Sequence, residues 1–395
     1  MSLVTPLMNL NERPPVKFVS GKGSWLQDSE GRRYLDFIQG WAVNCLGHSP
    51  SVLVEAISSQ ASRLMTPSPA YHSETTLALA DRLRACSGFD QVNLVNSGAE
   101  ANEAAIKLTR KWGAQNKGGA FRIITFENGF HGRTLATMSA CGKPAFDALY
   151  EPKVPGFDRV PFNDLAAVEA AISKDTVAIM LEPIQGEGGV VAATECFLQG
   201  LRALADEHQL LLVFDEVQTG IGRTGELFAY QLFGVTPDVI TLGKGLGGGI
   251  AIAAMLAKNH CCCFEPGDQG STFGGNPLSA AAANAVLDIV ANPTFLAQAQ
   301  ANGAALRRVL EQVSQRFGLG EVRGQGLLLA LNTHGSSTVD AFQLEAACFE
   351  LGLLVNGLRH NLLRVMPALN FTVEELHLFE QRLIQGIEQL LAEKD

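Results

Sequence analysis

The sequence predicts an α/β protein built on a mostly parallel sheet with helices on both faces. The chain has 395 residues, of which 47% are hydrophobic and 18% charged, and this composition supplies a large core. From about Ser73, short β-rich runs alternate with apolar segments of helical length, which is typical of a parallel sheet. The length exceeds the roughly 100–200 residues of one domain. We therefore expect a large sheet domain and a smaller α/β domain at the C-terminal end.

The opening segment is predicted to form a hairpin. Alternating runs at residues 16–26 and 32–38 flank the turn Asp28-Ser29-Glu30-Gly31. This N-terminal segment, residues 1–60, is expected to pack with the small domain, and residues 61–276 are expected to form the large domain. The large domain is predicted to contain strands at 92–95, 122–125, 176–181, 210–214, 239–242 and 250–256, and helices at 99–112 and 196–208.

Residues 277–395 are predicted to form the small domain. Asn276 is a helix cap and Pro277 suits the first helical position, so a helix is expected to begin there and to reach about residue 289. The other elements predicted in this part are helices at 293–317, 339–351 and 373–391 and strands at 327–331 and 362–365.

Charge and composition disfavour several classes of protein. The formal net charge of −10 would repel nucleic acid and anionic membranes. The first 17 residues lack the pattern of a signal peptide, and the longest uncharged apolar stretch, residues 246–257, is too short to span a membrane. The eight cysteines form no paired zinc motif, so we expect reduced thiols in a cytoplasmic protein. A redox or metal site at Cys261-Cys262-Cys263 is the alternative.

The segment Asn96-Ser97-Gly98-Ala99-Glu100 follows a predicted strand and opens the next helix. Backbone N–H groups at a helix start are unpaired and carry positive partial charge, so they can hold a phosphate. An ordinary cap made by Ser97 is the alternative.

Asp215 and Lys244 each follow a predicted strand at the edge where open α/β sheets bind ligands. A carboxylate there is costly to bury unless it faces a cation, and a protonated ring nitrogen is one such cation. A lysine that loses hydration has a lowered pKa, which makes its amine a nucleophile. The alternatives are a capping acid for Asp215 and an exposed loop lysine for Lys244.

Four further segments offer side chains suited to a ligand. Phe130 can stack on a ring and Arg133 can bind a carboxylate. Glu187 follows another strand end, and Ser271-Thr272 places two hydroxyls before a helix. Arg364 stands between apolar neighbours on a predicted strand, where it requires an anionic partner. The alternative for each is an ordinary polar loop or a surface ion pair.

Taken together, these motifs resemble the class III aminotransferases, the pyridoxal-phosphate enzymes of fold type I. The resemblance runs from Gly21 to Leu369. Within the class, the chain is most similar to the acetylornithine aminotransferases, and the succinylornithine and ornithine aminotransferases are near relatives. The segments that match are Gly47-His48, residues 96–103, residues 130–134, residues 182–189, residues 215–220, Lys244-Gly245 and residues 271–278.

The resemblance implies a role for each candidate toward pyridoxal 5′-phosphate. Lys244 would hold the cofactor covalently, and Asp215 would pair with its ring nitrogen. Phe130 would stack on the ring and Gln218 would lie near the ring hydroxyl, with Glu216 and Val217 beside them. The phosphate would be bound by Ser97, Gly98 and Ala99, together with Thr272 from the partner subunit of a homodimer whose active site lies at the interface.

The resemblance also implies the reaction. The terminal amine of N2-acetylornithine would pass to 2-oxoglutarate, giving N-acetylglutamate 5-semialdehyde and glutamate, a step of arginine biosynthesis. Arg133 with Ser271 would bind the α-carboxylate of acetylornithine. Arg364 would bind that of glutamate or 2-oxoglutarate, shielded by Glu187 in the other half-reaction.

Other activities within the class remain open. Succinylornithine, ornithine and other ω-aminotransferases share the motifs, as do aminomutases, although Arg364 with Glu187 favours a transaminase of two substrates. Trp25 and Trp41 stand where ornithine aminotransferases have tyrosines. An indole offers no phenolic hydroxyl, so we expect an acylated donor rather than free ornithine. Simple core packing of the two tryptophans is the alternative.

Overall fold

The structure is a computed structural model that describes residues 6–10 and 13–392. Residues 1–5 and 11–12 of the predicted N-terminal segment, and residues 393–395 of the predicted small domain, lie outside the described residues. The described strands are β1 (Phe18–Lys22), β2 (Trp25–Asp28), β3 (Arg33–Asp36), β4 (Gln91–Val95), β5 (Arg122–Phe126), β6 (Phe157–Val160), β7 (Thr176–Leu181), β8 (Ile184–Gln185), β9 (Val191–Ala192), β10 (Leu211–Asp215), β11 (Val239–Leu242), β12 (Ala253–Ala257), β13 (Val322–Gln325), β14 (Leu328–Asn332), β15 (Leu353–Leu354), β16 (Asn356–Arg359) and β17 (Leu362–Val365).

The described helices include long elements that agree closely with the predicted ones and several that the sequence patterns missed. Short 3-10 turns occur at Pro144–Phe146, Lys244–Gly247 and Asn259–Cys261. The α-helices are α1 (Gln39–Ala42), α2 (Ser51–Ala61), α3 (Glu74–Ser87), α4 (Gly98–Asn116), α5 (Leu135–Ala140), α6 (Leu165–Ala171), α7 (Glu195–Glu207), α8 (Ala229–Phe233), α9 (Pro277–Val290), α10 (Pro293–Phe317), α11 (Ala341–Glu350) and α12 (Val373–Ala392).

The predicted α/β class is confirmed by a seven-stranded sheet in the order β4-β12-β11-β10-β7-β5-β6. Its strands are parallel except β12, which runs antiparallel to both β4 and β11. Along β10, Leu212 and Phe214 belong to one hydrophobic cluster, and Leu211 and Val213 belong to another. Because side chains alternate between the faces of a strand, this sheet is covered on both sides.

The opening segment joins the C-terminal part of the chain through strand pairing. β1, β2 and β3 form an antiparallel meander, and β3 pairs in parallel with β15, with Leu35 opposite Leu353. The second sheet of the C-terminal part is antiparallel, in the order β13-β14-β17-β16. Arg364 on β17 is only 1% exposed.

Helix α9, the first helix of the predicted small domain, lies against α2 and α3. Arg82 donates to the carbonyl of Asn284 (3.2 Å), and the Asn284 side chain donates to the carbonyl of Thr75 (3.1 Å). The domain boundaries expected after residues 60 and 276 stay a prediction.

Helix lengths and polarity bear on membrane insertion. No single helix among the described residues is long and apolar enough to cross a bilayer. The adjoining helices α9 and α10 pass that test only as a pair bent by 75°, by length and composition alone.

Candidate active site

A cavity of about 290 Å³ lies at the carboxyl edge of the large sheet. The parallel strands β5, β7, β10 and β11 end there, and the loops that follow them supply most of its walls. It is lined by Gly98, Ala99, Asn102, Phe130, His131, Gly132, Arg133, Glu182, Glu187, Asp215, Val217, Gln218 and Lys244.

One end of the cavity is the start of helix α4. Ser97 is the N-cap, and its hydroxyl oxygen accepts from the N–H of Glu100 (3.2 Å). The first intrahelical bond runs from Ala101 to the carbonyl of Ser97, so the N–H groups of Gly98 and Ala99 precede the helix's own bonding. A Cβ on Gly98 would meet Val217 at 2.6 Å. Glycine is thus required for this close packing on Val217. Gly98 and Ala99 both line the cavity, and free N–H groups at a helix start suit an anion.

Asp215 lies at the end of β10 and is held by neighbours on both oxygens. Its Oδ2 accepts from Asn102 (2.7 Å) and faces His131 Nδ1 at 2.8 Å, while its Oδ1 accepts from the N–H of Val217 (3.0 Å). Burial opposes protonation of His131, but the hydrogen bond and charge of Asp215 outweigh it and raise the pKa of His131. These contacts fix the orientation of the carboxylate in the wall of the cavity.

Asn102 and His131 were not predicted as site residues, although both lie in segments that carry the resemblance, residues 96–103 and 130–134. Asn102 is four residues after Gly98, and this spacing places it on the same face of α4. His131 directly follows Phe130. These positions could have suggested that both side chains reach the strand-end carboxylate.

Lys244 follows β11 through Gly243 and adopts a left-handed φ of 44°, which is unusual for a residue with a side chain. The thiol of Cys45 donates to the carbonyl of the next residue, Gly245, at 3.3 Å. Burial lowers the pKa of Lys244, and Asp215 and Glu187 oppose that shift. The amine is thus biased toward its neutral, nucleophilic form.

Gln218 reaches the cavity with an unused side-chain amide. Its amide nitrogen and oxygen are both buried and have no hydrogen-bond partner in the part of the chain that is described. A Cβ on Gly186 would lie 1.6 Å from the Gln218 oxygen, so only glycine allows this approach. A buried amide without a partner is rare, which indicates that a ligand completes its bonding.

Glu182 connects two walls of the cavity and was also missed as a functional residue. One carboxylate oxygen accepts from the N–H of Phe130 (2.9 Å) and the other from the N–H of Gly186 (3.2 Å). Burial raises the pKa of Glu182 to about 7. The carboxyl group therefore fixes the loop of Phe130 relative to the loop that leads to Glu187.

Arg364 is buried beside the cavity and pairs with Glu187 (2.8 Å). It also donates to the carbonyl of Gly186 (2.8 Å) and to the side chain of Asn356. Burial acts to raise the pKa of Glu187, but Arg364 and Lys143 hold it at about 2. Arg133 lines the same cavity, 5.7 Å from the ring centroid of Phe146. One arginine is thus open to the cavity and the other is blocked by a carboxylate.

The hydroxyls of Ser271 and Thr272 are not brought into this cavity. Ser271 accepts from the side-chain amide of Asn96 (2.9 Å). Thr272 lines a separate depression together with Tyr71 and Leu77.

The two tryptophans also lie outside the cavity lining. Trp25 stacks with Arg33 (4.4 Å) and Arg382 (5.5 Å), whereas Trp41 is 52% exposed. The packing alternative therefore describes Trp25 in this chain, and it does not describe Trp41.

Glu216 points away from the cavity, since its carboxylate accepts from the N–H groups of Ala229 (2.5 Å) and Tyr230 (2.8 Å). Burial raises the pKa of Glu216 to about 7 from 4.5, although these two donors lower it. The folded protein therefore holds this proton more tightly than the unfolded chain does. The associated stability is present below pH 4.5 and is lost as the pH rises through about 7.

The proton on Glu216 should make the unfolding free energy of the wild type fall by about 3 kcal/mol between about pH 5 and about pH 8. Glu216→Gln has no such proton, so this contribution to the fall should be missing. Denaturant unfolding across that range measures the effect. Glu207→Gln, at an exposed position, is the control, and its unfolding free energy should depend on pH as that of the wild type does. An unchanged slope in Glu216→Gln would contradict the assignment.

The thiols of the three adjacent cysteines donate hydrogen bonds to backbone carbonyls. Cys261 donates to the carbonyl of Lys258 (3.1 Å), as does Cys262 (3.3 Å), and Cys263 donates to that of Leu108 (3.6 Å). Burial raises the pKa of Cys261 to about 12. No group of three potential metal ligands occurs within residues 6–10 and 13–392.

Comparison with known proteins assigns the family. The model of the family described as aminotransferase class-III matches residues 8–387. The chain is a class III aminotransferase. This class III aminotransferase is 53% identical to the acetylornithine aminotransferase of Ralstonia nicotianae over 380 residues, 94% of each chain. It is 44% identical to the succinylornithine transaminase of Salmonella dublin over 380 residues, 95% of this chain and 92% of that protein.

A solved structure similar to this class III aminotransferase is the ornithine aminotransferase of Toxoplasma gondii crystallised with oxidized glutathione, in which PLP partially occupies the active site. The TM-score is 0.93 at 32% identity, covering 98% of this chain and 93% of that one. The cavity fits such a group. The unpaired Gln218 amide matches a ring hydroxyl, Asp215 matches a protonated ring nitrogen, and the start of α4 matches a phosphate.

Proposed function

We propose that this aminotransferase uses pyridoxal 5′-phosphate to move the terminal amine of N2-acetylornithine to 2-oxoglutarate, the step of arginine biosynthesis implied by its resemblance. One observation supports this above the others. Arg133 is open to the cavity, while Arg364 is paired with Glu187. One open and one blocked carboxylate site suit two substrates of different length that use the cavity in turn.

Residues around the cofactor would have separate tasks. When bound, pyridoxal phosphate supplies an electron sink for the carbon that loses its proton. Lys244 would hold it covalently. Once the substrate amine has displaced Lys244, the freed amine would move the proton, and its lowered pKa favours the neutral form needed for that. Asp215, oriented by Asn102 and His131, would keep the ring nitrogen protonated. Phe130 would stack on the ring, and Ser97, Gly98 and Ala99 would bind the phosphate.

The two half-reactions would then differ in which arginine is used. Acetylornithine places its α-carboxylate on Arg133 while Glu187 covers Arg364. In the second half-reaction Glu187 leaves Arg364, which binds the α-carboxylate of 2-oxoglutarate. An acylated α-amine is neutral, so the donor brings no second cation toward the arginines.

A homodimer is part of the proposal, with the active site at its interface. Thr272 shares its depression with Tyr71, which is 74% exposed, and Leu77, which is 48% exposed, and Phe273 beside it is 60% exposed. A cluster of large exposed apolar side chains is typical of a protein interface. The same packing would bring Thr272 of one subunit to the phosphate of the other. We also infer a cytoplasmic location, which suits the eight free thiols.

The proposal is tested by a half-reaction screen. Purified cofactor-loaded protein is mixed separately with acetylornithine, succinylornithine, ornithine and 4-aminobutyrate while the cofactor absorbance is followed. Acetylornithine is expected to convert it fastest. Faster conversion by succinylornithine would favour the second candidate, which the 44% identical succinylornithine transaminase supports. Faster conversion by ornithine or 4-aminobutyrate would reject the acylated donor.

Arg364→Ala should impair the half-reaction with 2-oxoglutarate by about 10²- to 10³-fold, because a buried charge-assisted carboxylate contact is lost. The half-reaction with acetylornithine should change by less than about fivefold. Single-turnover kinetics of each half separate the two effects. Arg316→Ala removes an arginine that pairs with Glu388 and lines no part of the cavity, and it serves as the control. Equal losses in both halves would contradict the role given to Arg364.

A further inference from the structure

The carboxylate of Glu187 is held by two cations rather than one. Its Oε1 lies 2.8 Å from Arg364, and its Oε2 lies 2.8 Å from the ammonium of Lys143. Each cation therefore contacts a different oxygen. Neither the sequence patterns nor the resemblance assigned a role to Lys143.

Lys143 lies beside the cavity, against Glu187 and Phe130, which line it. It comes just before the turn Pro144–Phe146, and its ammonium lies 5.2 Å from the ring centroid of Phe130. Its side chain is 25% exposed, whereas that of Arg364 is 1% exposed. Glu187 thus bridges an inner, buried cation and an outer, partly solvated one.

The charges of this cluster match the binding of a further carboxylate. Arg364, Lys143 and Glu187 together carry one net positive charge. A substrate carboxylate that binds Arg364 neutralises the cluster, with one carboxylate for each cation. Without Lys143, binding of the substrate carboxylate would leave it and the Glu187 carboxylate beside a single arginine. Two carboxylates so close together repel each other strongly in a partly buried site.

The loop around Glu187 restricts the movement to its side chain. The carbonyl of Gly186 accepts from Arg364 (2.8 Å), and the carbonyl of Gly188 accepts from Arg359 (3.0 Å). Both backbone neighbours are therefore anchored. Rotation of the Glu187 side chain about its Lys143 contact frees Arg364 without moving the loop.

We propose that Lys143 is a docking cation: its ammonium holds the carboxylate of Glu187 when a carboxylate of a dicarboxylic 2-oxo acid binds Arg364. Lys143 is a positioning residue in this role, because it acts on the substrate through Glu187. The inference rests on the proposed function and extends it: Lys143 helps to make the second half-reaction specific for a substrate whose carboxylate displaces that of Glu187 from Arg364.

The test uses equilibrium binding of glutarate, a dicarboxylate that cannot react, to the cofactor-loaded protein by calorimetry. Lys143→Met should weaken glutarate binding about tenfold. Lys143→Arg should retain binding within about threefold, since it restores the cation. Lys153→Met is the matched control, because Lys153 is 27% exposed in the same segment and pairs with Glu151 instead. It should change binding by less than about twofold.

A double-mutant cycle distinguishes docking of Glu187 from direct contact with the ligand. In the Glu187→Gln background, Lys143→Met should change glutarate binding by less than about twofold, because no carboxylate remains to be docked. A tenfold loss that persists in that background would overturn the proposal, as would an equal loss in Lys153→Met. Single turnovers with acetylornithine should be unaffected by Lys143→Met, and an equal loss there would also overturn it.

Two outcomes distinguish a failure of this inference from a failure of the proposed function. If the wild type fails to transfer amine from acetylornithine to 2-oxoglutarate, the proposed function is wrong whatever Lys143 does. If the wild type is active and Lys143→Met binds glutarate normally, only the docking role is lost.

Discussion

Replacing Lys244 with alanine is expected to lower turnover by at least about 10⁴-fold, because in the proposed mechanism one side chain would supply both the covalent link to the cofactor and the proton transfer. The substitution also removes an ammonium that burial already disfavours, so folding should be retained. Loss of activity with an intact fold is therefore the expected phenotype.

The covalent link provides a readout independent of turnover. Borohydride reduction of the wild type, followed by digestion and mass analysis, should show the cofactor adduct on the peptide that contains Lys244. The adduct should be missing from Lys244→Ala and present in Lys258→Ala, whose lysine contacts the carbonyl of Gly88 instead. An adduct found on any other lysine would contradict the assignment and with it the proposed chemistry.

Asp215→Asn is expected to lower turnover by about 10²- to 10⁴-fold while preserving the shape of the site. A neutral amide cannot hold the proton on a ring nitrogen. If its single oxygen accepts from Asn102 and His131, its NH2 group faces the N–H of Val217 and that hydrogen bond is lost. The pKa of His131 should fall, because the charge that raises it is removed.

Two measurements check this prediction: single-turnover rates, and the titration of His131 by NMR. Asp238→Asn is the control, since Asp238 is also buried but binds Arg202 and His260 away from the cavity. A normal rate in Asp215→Asn would mean that the carboxylate does not act on the ring nitrogen. An unchanged pKa of His131 would mean that Asp215 does not raise it.

Much of the fold could be predicted because it depends on local patterns. Residues 176–181, 239–242, 293–317 and 362–365 have the predicted bounds, since apolar runs, caps and turn residues signal their ends directly. Helices α2 and α3 were not predicted, and the strand expected at 250–256 is β12 at Ala253–Ala257. Glycines at 247–249 precede that strand and delay its start.

The candidate site could be predicted only in outline. Asp215, Lys244 and Glu187 stand at or after strand ends, and parallel strands bring such positions to one edge. The same rule does not say which way a side chain points. Glu216, for example, faces Ala229 and Tyr230 instead of the cavity. The cofactor and substrate roles of all these residues stay predictions until the variants above are measured.

The sequence by itself determined the alternation of strands and helices, the capped start of α4 and the strand-end positions of the reactive residues. Each of these depends on neighbours within a few positions in the chain. Only the tertiary structure decided which polar groups meet. Lys143 and Glu187 are 44 positions apart, and Arg364 and Gly186 are 178 apart. Contacts over such separations depend on how whole elements pack, and no local pattern records that packing.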